Sequence, residues 1–96
     1  MSLKLLKIQK ANDGIKKYKA TFTKDGRTFS VKFGAEGYTD YTLSKDPERK
    51  QRYLDRHKAN EDWNKPETAG ALSRWILWNK LTVRESIADY KARFNL

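Results

Sequence analysis

Lys7, Lys17, Lys19 and Lys32 are the residues of this 96-residue chain whose type and spacing point most directly to chemistry. An ammonium group is a fixed cation, and several on one surface attract phosphate polymers, anionic membrane or acidic protein. The strand register derived below lines up Lys7, Lys19 and Lys32 as one row across three strands, with Lys17 next to it along its own strand. Like charges directly opposite in a sheet repel, at roughly 1 kcal/mol or less per pair in screened water. Bound phosphates turn that repulsion into attraction and release counterions. Thr21, Thr23, Thr28 and Ser30 flank the row and offer hydroxyl donors, and Arg27 adds a charge at the adjacent turn. This face has no aromatic side chain on which a base could stack, so it suits a phosphate backbone rather than base reading. The competing reading is a solvated outer face with its lysines splayed apart.

The elements that must position these residues follow from periodicity. Thr28 to Phe33 alternates, with Phe29, Val31 and Phe33 on one side, and Tyr18 to Thr23 does the same with Tyr18, Ala20 and Phe22. Asp25-Gly26 between them is the preferred pair for a two-residue type I′ turn. That turn pairs Phe22 with Phe29, Ala20 with Val31, Tyr18 with Phe33 and Lys19 with Lys32, so every pair keeps its character. A three-residue loop at Asn12-Asp13-Gly14 then sets Ile8 against Tyr18 and Leu6 against Ala20. The predicted product is a three-stranded antiparallel meander over residues 1–34.

Residues 34–43 read as a loop or short extended piece. Asp46-Pro47 reads as N-cap and first helical position of a helix to about Asn60. A second helix, Thr68 to Asn79, is apolar nearly all round and therefore central. Thr82-Val83-Arg84-Glu85 is a capping box opening a third helix with the stripe Val83, Ile87, Tyr90 and Phe94. The fold class predicted is α+β: one domain over residues 1–96, with the helical half, residues 46–96, packed on the apolar face of the meander.

Other motifs are weaker. Arg49, Lys50, Arg52, Arg56 and Lys58 make the first helix a second candidate surface, with Arg52 and Arg56 one turn apart. Glu48–Arg52 is also a favourable pair at that spacing, so an ordinary mixed-charge face is the better reading there. His57 with Glu61 and Asp62 matches no established metal or acid/base spacing. Gly34-Ala35-Glu36-Gly37 carries an acidic residue where a phosphate loop needs donors. Trp75 and Trp78 read as core, whereas Trp63, between Asp62 and Asn64, is the aromatic expected to be exposed.

Composition sets the frame. The net charge is +9, and its excess lies in residues 1–34, which hold nine basic residues against two acidic; residues 35–66 hold seven of each. A charge of this size also serves solubility, and charge alone does not separate the two uses. With no cysteine there is no disulfide or thiolate chemistry. No stretch approaches the ~20 apolar residues of a membrane span, and the lysine-punctuated N-terminus lacks the apolar run of a secretory signal. The expectation is an intracellular protein.

Gly37-Tyr38-Thr39-Asp40-Tyr41, Asp46, Arg49-Lys50, Tyr53, Arg56-His57, Glu61-Asp62-Trp63 and the Trp-rich run from Thr68 to Asn79 resemble a small family of uncharacterised basic proteins of nucleocytoplasmic large DNA viruses of algae and amoebae. The resemblance covers roughly residues 37–94. It implies a viral protein in an infected host cell, with packaging in the virion as one outcome, and it carries no assigned activity to any residue. The combined expectation is a non-catalytic, largely sequence-nonspecific nucleic-acid-binding protein. Its phosphate contacts would be Lys7, Lys17, Lys19, Lys32, Arg27, Arg52 and Arg56, and it would need no metal, cofactor or membrane. The alternative is a structural virion or minor capsid protein acting through protein–protein contacts.

Overall fold

Asp25 and Gly26 both have positive φ, 53° and 82°, as a type I′ turn requires; this is why glycine occupies the second position. Around that turn, β2 (Lys16–Lys24) and β3 (Arg27–Ala35) pair antiparallel. Phe22–Phe29, Ala20–Val31, Tyr18–Phe33, Thr21–Ser30 and Lys19–Lys32 are all opposed, in the predicted register. Tyr18 stacks on Phe33 and Phe22 on Phe29, with ring centres 5.8 and 5.5 Å apart. β1 (Leu3–Lys10) joins the free side of β2, giving the order β1-β2-β3. The computed structural model describes residues 3–96; Met1 and Ser2, the first positions of the predicted meander, lie outside the described residues.

The β1–β2 register differs from the predicted one. Lys10, not Ile8, opposes Tyr18, and Ile8 opposes Ala20. The connection is longer than the three residues expected. Asn12 takes a left-handed conformation, and the Asp13 carboxylate accepts hydrogen bonds from the amides of Ile15 and Lys16 at 2.9 and 2.8 Å. Further along, Leu5 opposes Phe22 while Lys7 opposes Thr21, so Leu6 is the extra residue of a β-bulge and is largely exposed. The bulge and the lysines at 4, 7 and 10 are features that discourage pairing of an edge strand with another chain.

The segment expected to be a loop or short extended piece runs into a short helix, α1 (Tyr41–Ser44), capped by Asp40. α2 (Pro47–His57) starts as predicted: the Asp46 carboxylate accepts from the amides of Glu48 and Arg49, and proline holds the first turn. It ends at His57, short of Asn60. α3 (Ala69–Leu72), capped by Thr68, runs into a π-helical turn, Ser73–Leu77, instead of continuing regularly to Asn79. The Trp78 amide accordingly donates to the Ser73 carbonyl, 3.1 Å away. α4 (Val83–Phe94) begins at Thr82, whose hydroxyl oxygen accepts from the Glu85 amide. Of its predicted stripe Tyr90 is fully buried, while Val83, Ile87 and Phe94 pack at the core margin. Ser86, which carries no apolar signal, is also fully buried and accepts from the Lys80 amide.

The architecture is α+β, with the helices on the apolar face of the meander. Ala20, Phe22 and Phe33 from the sheet meet Leu72, Ile76, Leu77 and Tyr90 from the helices. No helix of the described residues is long and apolar enough to cross a membrane.

Candidate nucleic-acid interface

The lysine row does not assemble as expected. Lys19 and Lys32 do stand opposite each other, but Gln9 occupies the β1 position beside Lys19, and the two-residue shift of the β1–β2 register carries Lys7 to Thr21. Lys32 reaches over the β1–β2 connection and pairs with Asp13 at 2.9 Å. Hydrogen bonds from the Lys16 amide, the Lys32 ammonium and the Ile15 amide hold the Asp13 carboxyl well below the usual carboxylate range. Lys7 and Lys19 make no ion pair among the described residues, and Arg27 is exposed at the turn. The face is basic but lacks the gathered trio that the longer-range register predicted.

Lys17 is a clear correction. It is buried, only 8% exposed, and its ammonium meets the buried Asp40 carboxylate at 2.6 Å. The cause lies on β3. Gly34 has φ 76°, and a β-carbon there would fall 2.7 Å from Leu77 Cδ1 and 3.3 Å from Lys17 Cβ and Cδ. The missing side chain leaves the room in which the lysine stem and Leu77 lie. Gly34→Ala therefore combines left-handed strain with a clash against a buried leucine. We expect it to cost about 2–3 kcal/mol in urea unfolding; a loss under about half a kcal/mol, the size of an ordinary surface change, would contradict this packing.

A different set of cations is brought together. Arg49, Arg52 and Arg56 recur along α2 at helical spacing, and all three are exposed. They line a cleft of about 560 Å³ between α2 and the segment Gly34–Asp40. Its floor includes Tyr53, Leu77 and Trp78, and Tyr38 stands at the rim, 73% exposed. The expected Glu48–Arg52 pair is not formed, and among the described residues none of the three arginines has a carboxylate within ion-pair distance. A pair between two exposed side chains offers too little energy to fix them.

Four carboxylates of this region are engaged elsewhere. Asp40 holds Lys17 and caps α1; Asp46 caps α2. Asp55 accepts from Gln51, and its other near neighbour is Lys58 at 3.8 Å. Glu61 binds His57 Nδ1 at 3.1 Å and accepts from Trp63 Nε1 at 2.8 Å. The floor is an aromatic pile: His57 lies 4.2 Å from Tyr53, and Tyr53 lies 4.3 Å from Trp78 at an angle of 6°. Burial, helped by Glu61, pushes the Tyr53 hydroxyl up to about 12, so it remains a neutral donor.

Sequence reasoning named Arg52 and Arg56 but omitted Arg49 from the site, and it missed Gly34, Tyr38 and Asp40. The fixed helix start at Asp46-Pro47 was the available signal, because it places residues 49, 52 and 56 on one stripe. Trp63 is half-buried rather than exposed: its carbonyl accepts from Trp75 Nε1 at 2.8 Å, and the Arg74 guanidinium lies 5.4 Å from its ring centre.

The model of a family of unknown function, DUF5754, matches residues 6–57, a stretch that contains the Gly34–Asp40 and α2 sides of the cleft but not its Ser73, Leu77 and Trp78 floor. No curated protein and no solved structure matches the chain.

Proposed function

The chain belongs to the DUF5754 family, and we propose that it binds nucleic acid through the phosphates, without catalysis and largely without sequence preference, on the arginine face of α2. One observation carries this reading: three exposed guanidinium groups share one helix face, and among the described residues no carboxylate is paired to them. Arginine keeps its charge at any working pH and presents a planar fork of donors that matches phosphate oxygens. Lys7, Lys19 and Arg27 on the sheet side extend the positive field that draws a polyanion in, while Lys17 and Lys32 already have carboxylate partners. The viral setting implied by the resemblance gives such a protein genome-length nucleic acid to bind in an infected cell.

A gel shift or anisotropy titration against duplex DNA tests this. If three phosphates are engaged, the slope of log affinity against log salt is about −2.7. Arg52→Glu with Arg56→Glu is expected to remove binding at moderate salt and flatten the slope by about two units, with an unchanged circular dichroism spectrum. Asp13→Asn frees Lys32 on the sheet and is expected to leave affinity within about twofold, because exposed rim charges contribute little beyond steering. If the arginine reversals leave affinity intact, the α2 face is not the interface.

A further inference from the structure

The arginine row borders an aromatic-floored cleft rather than a flat surface, and from this we infer that the cleft is a pocket for a nucleotide's terminal phosphate. The inference rests on the α2 reading and goes further by naming the ligand group. A phosphate inside a strand carries one negative charge, whereas a phosphate at a strand end or on a free nucleotide carries nearly two near neutral pH. Arg49, Arg52 and Arg56 at the rim favour the doubly charged group. Asp40, the one acidic residue of the lining among the described residues, is neutralised by Lys17 at 2.6 Å, so the cleft does not repel the extra charge.

The rest of the lining suits a nucleoside. The cleft volume of about 560 Å³ lies within the range typical of small-ligand sites, roughly 300–1,000 Å³. Thr39 and Ser73 contribute hydroxyls, and the Tyr53–Trp78 stack supplies an apolar base. Tyr38 is 73% exposed at the rim and offers a ring for a base to stack on. Ser73 opens the π-helical turn that ends beside Trp78, so the irregular segment of the helical half contributes the floor. Such turns recur at functional sites because they re-aim side chains that a regular helix would place elsewhere.

The test is fluorescence anisotropy with a short single-stranded oligothymidylate, phosphorylated at one end or bearing hydroxyls at both. The phosphorylated strand is expected to bind at least about tenfold tighter, equivalent to about 1.4 kcal/mol. Tyr38→Ala and Arg49→Gln should each reduce that preference without altering the fold. Thymidine monophosphate is the competitor that separates the sources. Displacement in the same concentration range supports a pocket open to free nucleotides, and failure to displace supports a strand-end pocket. Equal binding of the two strands, both lost on reversing Arg52 and Arg56, overturns the pocket and leaves the proposed function standing. Direct binding of thymidine monophosphate with no strand binding does the opposite. Absence of all binding overturns both.

Discussion

Replacing Asp40 with asparagine is expected to lower stability by about 3–5 kcal/mol, because it leaves the Lys17 ammonium buried without a counter-charge. Asparagine preserves the shape and keeps an oxygen that can accept from the Thr42 amide and hydroxyl, so the cap of α1 survives and the charge alone is removed. A domain of this size commonly has about 5–15 kcal/mol in total, so the variant should unfold at a much lower urea concentration. Lys17→Met alone should be milder, since Asp40 retains the two Thr42 donors. The double variant Lys17→Met with Asp40→Asn should recover most of the loss, because a buried ion pair can often be exchanged for neutral packing at little cost. If the single Asp40→Asn change costs under about 1 kcal/mol, Lys17 is not captive in the way its 8% exposure and 2.6 Å contact imply.

That pair also explains why Lys17 does not stand in the exposed lysine row that the sequence predicted. Alternation alone puts Lys17 beside Lys19, and it is correct as far as the backbone goes. It does not know that Gly34 lies across from Lys17, or that Asp40 closes the space beyond it. The β2–β3 hairpin was legible because the Asp25-Gly26 turn permits one register only. The β1–β2 pairing was not. Its register lies two residues from the predicted one, and a two-residue slip returns every side chain to its own face. Hydrophobic pattern is blind to such a shift. The bulge at Leu6 then shifted Leu3, Lys4 and Leu5 by one further position relative to β2, with no glycine or proline to announce it.

Charge counting failed for a related reason. Residues 35–66 sum to zero, which hid the arginine row. Five of their seven acidic residues, Asp40, Asp46, Asp55, Glu61 and Asp62, hold caps, turns or neighbouring side chains other than the arginines. Net charge treats a carboxylate as available wherever it lies, whereas a cap has fixed its position. Asp46-Pro47 was readable as a cap, and the same reasoning extended to its neighbours exposes the stripe at 49, 52 and 56.

The aromatic floor yields the second large effect. Trp78→Ala is expected to cost about 3–5 kcal/mol, the range for truncating a buried tryptophan, and to lower the melting temperature by roughly 15 °C or more. The ring is 8% exposed and lies flat against Tyr53, so its removal leaves a cavity bordered by Leu77 and the Gly34 segment that cannot close without moving α2. Trp75→Ala should cost distinctly less, about 1–2 kcal/mol, because its ring is only half-buried and lies between the Arg74 and Arg93 guanidiniums at 4.1 and 3.8 Å. The order of the two tests the π-helical turn itself. A regular helix from Thr68 to Asn79 would turn each later side chain by about 100° relative to the observed path, and Trp78 would not meet Tyr53. If thermal melts find Trp75 the more costly of the two, the turn at Ser73–Leu77 and the cleft floor built on it are wrong.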